Sequence, residues 1–253
     1  MSNAVHMDAQ PYFLPAHVYT CAVQDQVFFL DLRRNRYLAT TLDELQGLSG
    51  LVRRWPAGLE RAPGGGTFKR TEAESRATIA ELSGHRLLLP ATEDLGNSDV
   101  LAQPSHPTVG RALFERALER YPVISARHLA RFLRAAAIAK YRLSACSLYS
   151  TVLRIQWRRA RHPDPRLRDG LSALQSLVAV FHRLRPLLLP TRVPCLANSI
   201  ALLEFLASYG HFPRLVFGVQ AHPFSAHCWV QHADVVLNAP LENVLGYTPI
   251  LVA

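Results

Sequence analysis

The polar, proline-studded stretch from Ala91 to Pro107 most limits the folds open to this chain. It follows the apolar run Leu87-Leu88-Leu89-Pro90 and holds Gly96-Asn97-Ser98 and Gln103-Pro104-Ser105-His106-Pro107. Such a composition makes linkers rather than helices or strands. The 253 residues therefore read as two modules, 7–95 and 108–253, each with its own small core. There is no internal repeat.

The first module opens with three short β-prone runs, Val18 to Val23, Val27 to Leu32 and Arg36 to Thr40. Turns at Gln24-Asp25-Gln26 and Arg33-Arg34-Asn35 separate them. Helical patterns follow at Leu42 to Trp55 and Glu72 to Leu82, with a flexible loop at Ala62 to Thr67 between them. That loop is glycine-rich but has no Gly-Lys-Ser/Thr, so it is not a phosphate loop. In the second module, helices are expected at Val109 to Arg120, Ala126 to Ala160 and Leu167 to Arg185, the last ending at Pro186. Leu129, Phe132, Leu133, Ala136 and Ala139 keep the spacing of one buried face. Strands come last, at Arg214 to Val219, Ala226 to Val230 and Val235 to Asn238. Helices first and antiparallel strands after make an α+β fold.

A cysteine at a helix start and a histidine in a strand carry the candidate chemistry. Pro194-Cys195-Leu196 opens an amphipathic run with apolar residues at Leu196, Ile200, Leu203, Leu206 and Ala207, and Gly210 supplies the stop. A free thiol titrates near about 8.5, and the positive end of a helix or a neighbouring imidazolium lowers that value. Cys195 has the helix start, whose free N–H groups also suit an oxyanion. His227 lies in the strand and shares a face with Trp229, whereas Cys228 points the other way and is not the expected nucleophile. Each residue alone is common in protein cores; their order and setting point to thiol catalysis. Ser199 and Ser225 lack the strained turn of a serine nucleophile.

Charge is uneven. Residues 1–95 carry 10 Lys+Arg against 11 Asp+Glu, and residues 96–253 carry 18 against 8. The excess gathers between Arg111 and Arg168, with Arg154, Arg158, Arg159 and Arg161 in one cluster. No nucleic-acid motif is visible, so a solvated face or a partner surface is expected rather than nucleic acid. Cys21, Cys146, Cys195 and Cys228 show no metal-type spacing, and His222, His227 and His232 do not converge from one strand. No metal or other cofactor is expected. No apolar run reaches a membrane span, no secretory signal is present, and free thiols suit a reducing cytoplasm. Ser2-Asn3-Ala4 reads as an expression-tag remnant, with native sequence expected from near Met7.

Several motifs in fixed order resemble the B proteins of lasso-peptide biosynthesis. They are Cys195-Leu196 with Ser199 and Leu202-Leu203, Leu215-Val216 with Gly218-Val219, Pro223-Phe224, and Ala226-His227-Cys228-Trp229-Val230. Asn238 and Tyr247-Thr248-Pro249-Ile250 complete the set. The resemblance implies a transglutaminase-like, papain-like cysteine peptidase module, with Cys195 as nucleophile and His227 as its base. The first module, through Phe29-Leu30-Asp31-Leu32-Arg33-Arg34-Asn35-Arg36-Tyr37-Leu38-Ala39-Thr40-Thr41, is similar to the winged-helix-like element that recognises leader peptides. Tyr37, Leu38, Ala39, Thr40 and Thr41 are then expected to receive the leader of a precursor peptide as an added strand. The implied partners are that precursor and an ATP-dependent macrolactam synthetase. A non-catalytic peptide-binding adaptor and an amide-forming acyl transferase remain open. The family pattern places an aspartate where this chain has Ala239. With a two-residue turn at Ala233-Asp234, Asn238 pairs with Trp229 and is expected to orient His227 instead.

Overall fold

A computed structural model describes residues 12–45, 48, 51–53, 71–91, 109–113, 121–162, 171–188 and 194–253. The chain divides into two compact units, Met1–Ala102 and Gln103–Ala253. The expected loop at 62–67 and nearly all of the linker at 91–107 lie outside the described residues.

In the first unit, β2 (Val18–Val23), β3 (Gln26–Asp31) and β4 (Arg36–Thr41) form an antiparallel meander, with Val23 opposite Gln26 and Asp31 opposite Arg36. The β3–β4 turn is organised by one carboxylate. Asp31 is fully buried and accepts from the backbone N–H groups of Arg33 at 3.0 Å and Arg34 at 3.1 Å. Asn35, at φ 50°, completes the reversal, as asparagine does more readily than most residues. Beside the meander, β1 (Tyr12–Phe13) pairs with β5 (Val52–Arg53) and β6 (Leu89–Pro90). Helix α1 (Leu42–Leu45) follows β4 directly, and α2 (Glu72–Gly84) starts at a reciprocal cap between Thr71 and Glu74. Val27, Phe29, Leu45, Leu48, Ile79 and Leu82 are among the buried residues that join these elements. The helix expected over Leu42 to Trp55 is cut short: it ends at Leu45, and Val52–Arg53 is a strand. Gly47, Ser49 and Gly50 lower helix stability there, each glycine by about 1 kcal/mol.

Among the described residues, the second unit places four helices before most of its sheet. They are α3 (Ala126–Ala145), α4 (Leu148–Arg161), α5 (Leu171–Leu188) and α6 (Cys195–Ala207). The sheet runs β11 (Thr248–Val252), β8 (Arg214–Gln220), β9 (Ser225–His232), β10 (Val235–Val236) and β7 (Arg111–Ala112), with the short helix α7 (Glu242–Leu245) before β11. Among the described residues of this sheet, β7 alone is parallel to its neighbour. Three expectations change. Arg111–Ala112 is a strand on β10, held by Gly110 and Arg111 N–H groups on the Asp234 carbonyl at 2.9 and 3.1 Å; residues 114–120 lie outside the described ones. The long helix breaks at Cys146-Ser147, where the Ser147 hydroxyl accepts from Ser150 N–H and starts α4. Helix α5 continues through Pro186 for its last residues.

Helix α6 is the centre of this unit. Every residue from Asn198 to Leu206 is buried, so the helix is enclosed rather than amphipathic. It packs on α3, α5 and β9. Phe181 stands between Phe132 and Phe205, with ring centroids 5.5 and 5.8 Å away. Glu204, 5% exposed, is held by Arg142 at 2.5 Å and by Arg158 at 2.9 Å. Part of the arginine excess is thus structural. Among the described residues, no helix is long and apolar enough to cross a membrane.

Candidate active site

Helix α6 begins at Cys195 itself. Pro194 is the N-cap, one position earlier than the first helical turn, and offers no side-chain cap. The first intrahelical bond runs from Asn198 N–H to the Pro194 carbonyl. The helix therefore presents its positive end and its first-turn N–H groups at the cysteine.

Strand β9 brings the other groups, and the shortness of β10 decides how. Along a strand, alternate residues direct N–H and C=O to the same edge. Val230 points both groups toward β10: its carbonyl accepts from Leu237 N–H at 2.9 Å, and its N–H donates to Asn238 Oδ1 at 2.8 Å. Two residues earlier, Cys228 faces the same edge, but β10 pairs only with Gln231 and His232. Helix α6 fills the gap. The Ser199 hydroxyl donates to the Cys228 carbonyl at 3.3 Å, and the Cys228 N–H donates to the sulfur of Cys195. Cys195 and Ser199 are four residues apart, one helical turn on one face. One turn of helix thus occupies the place of a missing strand.

Three groups consequently converge on the Cys195 sulfur: the Cys228 thiol, the His227 imidazole and the Cys228 N–H. Hydrogen bonding from the Cys228 thiol, foremost, pulls the Cys195 thiol down to about 4; burial opposes this, and His227 and the Cys228 N–H add to it. Cys228 moves the opposite way, well above the usual thiol range, because it serves that neighbour as donor and is buried. The negative charge rests on Cys195. Cys21 is separate, pushed up to about 12 by burial.

The structure brings Cys195 and His227 together, as their order in the chain suggested. His227 shares a face with Trp229, the rings 6.1 Å apart, and has Tyr247 at 5.5 Å on another side. Its Nε2 is buried and has no hydrogen-bond partner among the described residues. Asn238 is 8% exposed and lies near the site, but it does not perform the expected task. Its Oδ1 holds the Val230 N–H and its Nδ2 donates to the Ser199 hydroxyl at 2.9 Å. The strand leaves its ladder because the Leu237 carbonyl accepts from His182 Nε2 at 3.1 Å. Asn238 thereby supports α6 and β9, not the imidazole.

The sequence reading missed Cys228 as a partner of Cys195. Strand alternation placed it correctly on the opposite face from His227, yet the edge between those faces is where Cys195 sits. The available signal was the Cys195–Ser199 spacing. In the first unit, Tyr37, Leu38, Ala39, Thr40 and Thr41 lie in β4, at one edge of the meander, half-buried to exposed. Among the described residues no group of three metal-ligating side chains occurs.

Residues 139–252 match the family model of the Transglutaminase-like superfamily, which includes cysteine peptidases and acyl transferases. The matched segment contains Cys195, His227 and Asn238. No curated protein and no solved structure gives a match.

Proposed function

We propose that this chain is a cysteine leader peptidase that severs leader from core in a lasso-peptide precursor. The observation that carries this is a sulfur at a helix start, held as thiolate beside an imidazole. The thiolate of Cys195 attacks the scissile carbonyl, and first-turn N–H groups of α6 receive the developing oxyanion. His227 gives a proton to the leaving amine as the C–N bond breaks, leaving a thioester on Cys195. Water then attacks the thioester, its proton passing to His227, and the leader departs with a free carboxylate. The first unit holds the leader along Tyr37 to Thr41, in the last strand of the β2-β3-β4 order, whose backbone suits strand addition. The cleaved core then passes to an ATP-dependent macrolactam synthetase in the same cytoplasm.

The test is mass spectrometry of a precursor incubated with this protein and its synthetase. Hydrolysis releases a leader ending in a free carboxylate, whereas acyl transfer to an amine releases an amide. Cys195→Ala is expected to abolish cleavage and leave leader affinity within about twofold, because it removes the nucleophile and nothing in β4. Residues 7–95 alone are expected to bind the leader. Undiminished cleavage by Cys195→Ala removes the assignment, and leader binding confined to residues 108–253 removes the division of labour.

A further inference from the structure

We infer that Cys228 is a positioning residue for the nucleophile: its thiol donates a hydrogen bond to the Cys195 sulfur and keeps that sulfur ionised. This rests on the reading of Cys195 as nucleophile. The geometry that supports it is a chain of buried polar contacts with a defined direction. Asn238 Nδ2 donates to the Ser199 hydroxyl at 2.9 Å, and that hydroxyl donates to the Cys228 carbonyl at 3.3 Å. The Cys228 thiol has one proton and two acceptors within reach, Ser199 Oγ at 3.9 Å and the Cys195 sulfur, and an anionic sulfur is the stronger of the two; side chain and backbone of Cys228 thus both face α6. Cys228 is 3% exposed, Ser199 fully buried and Asn238 8% exposed, so water does not compete for these groups. A thiol is a weak donor, but a thiolate acceptor strengthens the bond and its low-dielectric surroundings do so again.

Such a donor has a reason to exist here. A thiolate–imidazolium pair ordinarily relies on a further group to fix the imidazole. His227 Nε2 has no such partner among the described residues, and Asn238 is engaged elsewhere. A second, neutral donor at the sulfur stabilises the anion whether or not His227 carries its proton. The other titratable groups facing α6 do not supply this. Glu204 lies more than two turns along the helix and is matched by Arg142 and Arg158, and His182 of α5 is committed to Leu237.

The experiment follows alkylation of Cys195 in the full chain by iodoacetamide from pH 4 to pH 9, with the site resolved by peptide mass. The wild-type rate is expected to stay level from neutral pH far into the acid range. Cys228→Ala is expected to move the midpoint upward by at least one pH unit, which is about tenfold in thiolate fraction below the midpoint. Cys228→Ser restores an O–H donor and is expected to recover most of that shift. Where Cys228→Ala does not fold, Cys228→Val, which also lacks the donor, replaces it. An unchanged midpoint in the non-donor variant overturns the proposal, as does a serine variant shifted as far as the alanine one. Alkylation reads the thiol whatever bond it cuts, so a failed peptidase assay leaves this result standing.

Discussion

His182 is a neutral imidazole enclosed in α5, with Nε2–H donating to the Leu237 carbonyl. Burial, above all, holds its pKa down to about 4 from 6.5. The sign follows from linkage. Below pH 6.5 the unfolded chain takes up a proton that the folded chain refuses, so stability is full above that value and lost as pH falls toward 4. The loss from this residue approaches about 3 kcal/mol. His182→Gln keeps a donor for Leu237 and is expected to remove that slope, read as denaturation midpoints at pH 7 and pH 4.5. A variant with the wild-type slope shows that other groups set acid stability. The same side chain explains why Asn238 was misread. Register from the Ala233-Asp234 turn holds through Val236 opposite Gln231, and then a histidine 55 positions away captures the next carbonyl. Turn chemistry is local and legible; a competing acceptor bond from a distant helix is not. Cys195 and His227 were legible because helix-start and strand signals lie within a few residues of each.

Strands β8 and β9 meet where a side chain is missing. Gly218 lies opposite His227, and a Cβ there would stand 2.8 Å from Trp229 Cζ3 and 2.9 Å from Tyr247 Cβ. Trp229 is fully buried, and a Tyr247 Cβ cannot swing aside, so the crowding has no cheap relief. Gly218→Ala is expected to destabilise the second unit by about 1–3 kcal/mol. Because Trp229 and Tyr247 flank His227, it is also expected to slow precursor cleavage; thermal unfolding and the peptidase assay read the two effects. A variant as stable and active as wild type means the strands part easily here. Period-two patterns and turns made β8 and β9 visible in the sequence, and the Pro194 and Gly210 punctuation located α6 to within a few residues. The enclosure of α6 was not visible. Asn198, Ser199 and Glu204 are polar and point in different directions around the helix, yet Ser199 is bonded to Cys228 and Asn238, and Glu204 to two arginines. Polar residues read as exposed until their partners are known.

Taken whole, the molecule combines two units whose sequences are legible to different degrees. The meander of the first announces itself through paired turn signals, whereas its two-residue strands β1, β5 and β6 are too short for any periodicity to show. The same holds for β7, and it has a kinetic corollary. Joining β7 to β10 brings together Arg111 and Asp234, 123 positions apart, and closing so long a loop costs about 4 kcal/mol in chain entropy. Two paired residues, one exposed ion pair at 3.3 Å and the buried Leu113 set against that cost. The hairpin of β8 and β9, by contrast, closes locally over seven paired positions. Folding of this sheet therefore starts at the hairpin and ends at β7, and unfolding runs in reverse. Hydrogen exchange is expected to release the Gly110, Arg111 and Leu113 amides well before those of β9; equal protection would make β7 part of the cooperative core. Strand β9 is laid down early, while the margin beyond β10 is a late-closing seam that opens without parting Cys195 from His227.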